Sequence, residues 1–124
     1  NISAAWDKRL KHKKFTVDGL SKAEYYRRCH QFAETQYNRY KEIIDPQSLR
    51  GKDWHVDHIY SVHNGFLNDV PINVLSDITN LRLISAKENY IKHASSYKSI
   101  EQLYEDYYAN QAEPTSSTPL PCSK

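Results

Sequence analysis

Three helix-start signals constrain the fold of this 124-residue chain more than any other feature. In each, a serine is followed three residues later by Glu or Gln, so that each side chain can satisfy a free backbone N–H in the first helical turn. The signals are Ser21 with Glu24, Ser85 with Glu88, and Ser99 with Gln102. They predict a long amphipathic helix that ends before residues 45–46, a helix from Ala86 to about Ala94, and a C-terminal helix from Ile100.

Two short segments between the first and second signals have the composition of β-strands. Residues 53–60 (DWHVDHIY) and 80–84 (NLRLI) are rich in β-branched, aromatic and leucine side chains. We interpret residues 61–79 as a long connection, with a turn at Asn64–Gly65 and Pro71 within it. Strand, connection, strand and helix therefore follow one another, and the predicted fold class is α+β.

Charge divides the chain into a basic and an acidic part. Residues 1–52 carry twelve basic and six acidic side chains, whereas residues 53–124 carry five and nine. This split favours a polyanionic partner for the first part and a separate role for the carboxylates of the second. We divide the chain into a basic segment (residues 1–20), a folded domain (21–112) and a disordered tail or linker (113–124), where Pro, Ser and Thr are frequent.

Other sequence features exclude several classes of protein. No apolar run approaches the roughly 20 residues that a membrane-spanning helix needs, so we expect no membrane span. The two cysteines, Cys29 and Cys122, give neither a disulfide framework nor a Cys-x-x-Cys zinc motif. We therefore expect a reducing, cytoplasmic compartment and no structural zinc.

Asp57 and His58 are the most informative neighbours in the sequence. A carboxylate is a hard oxygen ligand for Mg²⁺, and a histidine titrates near neutral pH and can take a proton from water. Asn80 begins the second strand, and Asn89 lies in the helix that follows it. Because asparagine is a poor residue inside a helix, Asn89 is better explained by function than by stability.

The motifs DHIYS, NGF, VP, NLRLIS and EN-x-x-K occur in this order and resemble those of the HNH endonucleases. The stretch 37–108 is similar to small HNH proteins that are common in bacteriophage genomes, many of them classed as homing endonucleases. The resemblance implies a ββα-metal core, which is a hairpin followed by one helix. Here a long N-terminal helix and a C-terminal helix would brace that core.

The resemblance also implies a role for each motif residue. His58 would be the general base, Asp57 and Asn89 would be the metal ligands, and Asn80 would brace the loop and orient His58. Lys92 belongs to the same pattern as a phosphate or structural contact. The implied reaction is metal-assisted hydrolysis of DNA phosphodiester bonds with Mg²⁺ or Mn²⁺, although a nearby histidine would also accept Zn²⁺ or Ni²⁺. In a regular strand Asp57 and His58 would point to opposite faces, so we expect the strand to end or bend there.

Other polar residues near the motifs have a weaker claim on function. His55 shares the strand face of Asp57, and His93 follows Asn89 by one helical turn; both are reserve metal or phosphate contacts. His63 lies in the loop where substrate could pass, although a solvent-exposed loop histidine is the more common explanation. Arg82, Arg27 and Arg28 are candidate DNA contacts, together with the basic cluster at residues 8–14.

Several functional alternatives remain open at this point. A phage homing or nicking enzyme, acting on double-stranded DNA in a bacterial or phage-infected cell, is the first choice, and the catalytic domain of a restriction endonuclease is the second. The main rival from another class is a DNA-binding module that has lost catalysis. A small helical interaction domain, in which the Asp57–His58 pair is incidental, ranks last. No residue excludes RNA as the substrate, and the sequence does not give the target site, the strand number or the oligomeric state.

Overall fold

The computed structural model describes residues 12–117, with side chains described for residues 12–111. In chain order the elements are α1 (Lys22–Arg39), α2 (Lys41–Ile44), β1 (Trp54–His58), α3 (Val62–Leu67), α4 (Ile72–Leu75), a 3₁₀ turn (Ile78–Asn80), β2 (Leu81–Ser85), α5 (Ala86–Lys92) and α6 (Ile100–Ser117). This mixture of helices and one hairpin confirms the predicted α+β class. Among the described helices, none is long and apolar enough to cross a membrane.

All three helix-start signals cap helices, although none forms a complete reciprocal box. The Ser21, Ser85 and Ser99 hydroxyls accept from the backbone N–H three residues later, at 3.0–3.1 Å. The Glu24 carboxylate instead binds Arg27 and Arg28 of its own helix. The predicted long N-terminal helix is also interrupted, because the backbone leaves helical geometry at Tyr40 before α2 continues to Ile44.

The connection over residues 61–79 is more ordered than the sequence predicts. Ser61 caps α3 by accepting from Asn64 N at 3.1 Å, so the predicted Asn64–Gly65 turn is wrong. Gly65 lies inside this helix at a position where a side chain would not fit. A Cβ at Gly65 would lie 2.8 Å from both the Tyr25 hydroxyl and Leu75 Cδ1.

The two strands form an antiparallel hairpin in which Asp57 is opposite Arg82 and His58 is opposite Leu81. Helix α5 packs on both strands, and α1 packs on α3 and α4. The main core lies between α1 and the helices α3 and α4. Its buried members are Tyr25, Cys29, Tyr60, Val62, Phe66, Val70, Val74, Leu75 and Leu103.

The last helix extends past residue 112, where the sequence analysis ended the folded domain. Helix α6 runs through Ser117, so residues 113–117 are helical where the sequence analysis expected a tail. Ala112 and Glu113 are good helix formers, and the change in composition at Pro114 therefore does not mark the helix end. Residues 118–124 of the expected tail, and residues 1–11 of the basic segment, lie outside the described residues.

Candidate functional site

A cleft of about 400 Å³ opens where β1 ends, between α1 and α5. Of the residues singled out in the sequence, it is bordered by Asp57, His58, His63, Asn89, Lys92 and His93. The strand supplies Asp57 and His58, and the helix directly after the hairpin supplies Asn89 and Lys92. The structure therefore brings together residues that are up to 36 positions apart in the sequence.

Asp57 lies between two cations on the α5 side of the cleft. Its carboxylate oxygens lie 3.0 Å from Arg82 Nε and 3.3 Å from Lys92 Nζ. Asp57 is 6% exposed and Lys92 is 3% exposed, so this ion pair is largely removed from water. Tyr97 covers the group, with its ring 5.0 Å from the Arg82 guanidinium carbon and 5.7 Å from Lys92 Nζ.

His58 lies on the α1 side of the cleft. Its Nε2 is 2.9 Å from the hydroxyl of Ser76, and its ring meets the ring of His30 edge-on at 5.7 Å. Burial, together with the charges of His30 and Lys92, lowers the pKa of His58 to about 3. The imidazole is therefore neutral at pH 7 and has one nitrogen able to accept a proton.

The alternation expected of a regular strand is preserved at these two residues. Asp57 contacts α5 and β2, while His58 contacts the Ser76 region and α1. Both still border one cleft, because β1 ends at His58 and the chain turns into α3. A bend within the strand, which the sequence analysis offered as one solution, is not needed.

Asn80 braces the end of β1 and has no hydrogen bond to His58 among the described contacts. Its side-chain oxygen accepts from Tyr60 N at 2.8 Å, and its amide donates to the carbonyls of Leu75 and Tyr60 at 2.7 and 3.1 Å. The residue is completely buried. It therefore acts on the loop, as the resemblance implies, and reaches His58 only through the backbone.

Asn89 borders the cleft and contacts His55. The Asn89 amide nitrogen is 3.1 Å from His55 Nδ1, which orients the amide and leaves its carbonyl oxygen for another partner. His55 itself is not part of the cleft lining. His55 therefore contacts a candidate metal ligand but does not itself border the cleft.

The remaining basic candidates differ in position. His93 borders the cleft but lies beyond the end of α5 in left-handed backbone (φ 53°), so it does not continue the helical face of Asn89. Arg27 and Arg28 are exposed on α1, where both bind Glu24, and neither borders the cleft. Their predicted role in the site has no support in this geometry.

The basic cluster at residues 8–14 is described only in part. Lys13 Nζ lies 2.7 Å from the Asp69 carboxylate and 3.2 Å from the Leu67 carbonyl oxygen, so this lysine ties the segment to the domain. Lys14 is exposed. Lys8, Arg9 and Lys11 lie outside the described residues.

Three cleft-region residues were missed from the sequence: Ser76, His30 and Tyr97. Ser76 and Tyr97 lie in irregular segments, where no periodicity assigns a face. His30 lies next to Cys29 on the first helix, and only the packing of α1 against the end of β1 brings it to His58. Each was therefore recognisable only after the elements had been placed together.

The oxygen donors at the cleft are of the chemical type that binds a divalent cation. The protein would supply the Asp57 carboxylate and the Asn89 carbonyl oxygen, both hard ligands that Mg²⁺ accepts alongside water and phosphate. A carboxylate has about four acceptor positions, so two ion-pair contacts do not exhaust Asp57. Within residues 12–117 there is no cluster of three or more His, Cys, Asp or Glu side chains suited to a metal.

Comparisons of the chain with family models, curated proteins and solved structures found no match. The functional conclusion consequently depends on the cleft and on the motifs that border it.

Proposed function

We propose that the chain is a metal-dependent endonuclease of the HNH type that hydrolyses phosphodiester bonds of double-stranded DNA. One observation carries the proposal. Asp57 and His58, adjacent at the end of β1, border a single cleft with Asn89, which comes from the helix directly after β2. A carboxylate, an imidazole and an amide oxygen at one opening are the groups that such a reaction uses.

The order of the elements supports the ββα part of the proposal. The hairpin β1–β2 is followed without a loop by α5, which packs on both strands. Asn80 fixes the end of β1 through three buried hydrogen bonds. Helices α1 and α6 both pack on the 3₁₀ turn that leads into β2, and through it they would brace this unit.

His58 would act as the general base, removing a proton from the attacking water through its unprotonated ring nitrogen. The pKa of about 3 keeps the ring neutral but makes it a weak base. A phosphate bound in the cleft would bring negative charge close to the ring and raise this pKa. His58 would therefore become basic enough for catalysis when the substrate phosphate is bound.

The charges around Asp57 suit a phosphate ligand. Lys92 borders the cleft and Arg82 lies behind Asp57 outside its lining, so one carboxylate between these two cations leaves a net positive charge on this side. Such cations attract a phosphodiester without reading its base sequence. A divalent cation held by Asp57 and Asn89 would offset the charge that develops on the phosphate oxygens.

A DNA-binding module without catalysis is the second candidate, and one observation favours it. Both oxygens of Asp57 already contact a cation, so a metal ion must share the carboxylate or displace Lys92 or Arg82. This candidate predicts salt-dependent DNA binding with no cleavage in any divalent ion.

Cleavage of supercoiled plasmid at low salt separates the two candidates. The native chain, His58→Ala and the control Glu105→Ala, at an exposed residue of α6 outside the cleft, are compared with Mg²⁺, Mn²⁺ or EDTA. We expect metal-dependent nicking or linearisation by the native chain and Glu105→Ala, and a loss of about 10²- to 10⁴-fold in His58→Ala. If no protein cuts plasmid while all shift DNA in a salt-dependent way, the binding module is correct. An RNA duplex in parallel tests the substrate class.

A further inference from the structure

Ser76 lies at the centre of a hydrogen-bond chain that joins α1 to His58. Its hydroxyl oxygen is 2.8 Å from the backbone carbonyl oxygen of Cys29 and 2.9 Å from His58 Nε2. Ser76 is completely buried, and His58 is 6% exposed. Both contacts have normal hydrogen-bond lengths and are shielded from water.

The chemistry of the three atoms fixes where the protons lie. A carbonyl oxygen can only accept, so the hydrogen between Ser76 and Cys29 must be the single hydroxyl proton of Ser76. With that proton committed, the Ser76 oxygen can meet His58 Nε2 only as an acceptor. Nε2 must therefore carry the proton of the neutral ring, and Nδ1 must be unprotonated.

The cleft is the opening available to the other ring nitrogen, Nδ1. Among the described residues, every side-chain nitrogen or oxygen that is fully removed from solvent has a hydrogen-bond partner. His58 Nδ1 has no hydrogen-bond partner among the described residues, and the cleft is the opening that His58 borders.

We infer that Ser76 is a positioning residue that holds His58 in the tautomer whose unprotonated Nδ1 faces the cleft. Ser76 does not touch the substrate in this arrangement. Its role as an aid to catalysis rests on the proposed function, but its control of the tautomer does not. The usual effect of removing a group that orients a functional histidine is a loss of roughly 10- to 100-fold.

The test is a long-range ¹H–¹⁵N spectrum of histidine-labelled protein at pH 7, which distinguishes protonated from unprotonated ring nitrogens. The native chain is compared with Ser76→Ala and with Ser61→Ala, a buried serine that caps α3 and has no described bond to His58. His58→Asn assigns the signal. We expect Nε2–H in the native chain and in Ser61→Ala, and a mixture of tautomers in Ser76→Ala.

Two results would overturn the inference: a proton on Nδ1 of native His58, or an unchanged His58 signal in Ser76→Ala. The native spectrum decides the first point even where Ser76→Ala fails to fold. If the predicted tautomers are found but the plasmid remains uncut, the proposed nuclease function is wrong and the positioning role of Ser76 stands. Where cleavage occurs, we expect a roughly 10- to 100-fold lower kcat in Ser76→Ala.

Discussion

The two sides of the cleft are built from adjacent residues but are stabilised in opposite ways. On the α5 side, Asp57 is charged and is held by the cations of Arg82 and Lys92. On the α1 side, His58 is neutral and is held by hydrogen bonding to Ser76 and by burial. The strand produces this difference, since successive side chains point to opposite faces.

The difference shows how one strand end can separate two chemical tasks. A charged side can attract a cation or a phosphate, whereas a neutral, desolvated side can keep an imidazole unprotonated. The register of β1 on β2 decides which face of the hairpin Asp57 and His58 each point to. A small movement of the strand therefore cannot exchange the roles of the two residues.

The largest expected effect comes from neutralising the charged side. Asp57→Asn leaves Lys92 buried without its ion-pair partner, and we expect the free energy of unfolding to fall by about 3 kcal/mol. Urea denaturation at pH 7 measures the change. Asp57→Asn combined with Lys92→Met removes the orphaned charge and should recover at least half of the loss; equal instability of the single and double variants would contradict this account.

Asn80 affects both sides of the cleft, because its hydrogen bonds fix the end of β1, from which Asp57 and His58 project. Asn80→Ala leaves the Tyr60 and Leu75 backbone groups without their buried partners. We expect the unfolding free energy to fall by about 2 kcal/mol. Asn38→Ala, at an exposed asparagine of α1 with no described side-chain hydrogen bond, is the control and should not lower the native midpoint. A native-like midpoint for Asn80→Ala would show that the strand end does not need this brace.

The neutral side predicts a loss of stability in weak acid. An unfolded histidine binds its proton near pH 6.5, whereas the pKa of folded His58 is about 3, so the unfolded state binds more protons between these values. Stability is therefore complete above about pH 6.5 and falls as the pH is lowered, by about 2 kcal/mol between pH 7 and pH 5. Partial burial lowers the pKa of His63 as well, which adds to the fall.

His58→Asn isolates the contribution of this side chain to the pH dependence. Denaturation of the native chain and of His58→Asn at pH 7, 6 and 5 should give a flatter pH dependence for the variant. Parallel slopes would mean that His58 is not the group whose protonation is suppressed by folding.

The smallest effect is expected away from the cleft. Arg27→Gln removes an exposed arginine that shares Glu24 with Arg28, so we expect no measurable change in the urea midpoint. In a gel shift at low salt, Arg82→Gln should weaken DNA binding more than Arg27→Gln does. A larger loss in Arg27→Gln would place the DNA surface on the exposed face of α1 instead of beside Asp57.

Much of the fold follows from local signals in the sequence. The serine caps begin α1, α5 and α6 at the predicted residues, and both strands lie within one or two residues of the predicted segments. The short helices α3 and α4 were not predicted. Gly65 is required by close packing against Tyr25 and Leu75, and a packing reason of this kind cannot be distinguished from a turn in the sequence.

The candidate site was predictable only where residues lie within recognisable motifs. The cleft brings together Asp57, His58 and Asn89, as the motif order predicts. The ion pairs of Asp57 and the bond between His58 and Ser76 depend on tertiary packing and carry no local signal. The same packing explains why Arg27 and Arg28, basic in composition, lie away from the cleft.

We propose that the two sides of the cleft have separate roles, with the metal bound on one and the general base on the other. Mn²⁺ binding, followed through the loss of the free-ion EPR signal, tests it with the native chain, Asn89→Ala and His58→Ala. We predict that Asn89→Ala loses Mn²⁺ affinity while His58→Ala binds Mn²⁺ as the native chain does and fails to cut DNA. Equal loss of Mn²⁺ affinity in both variants, or in neither, would contradict the account.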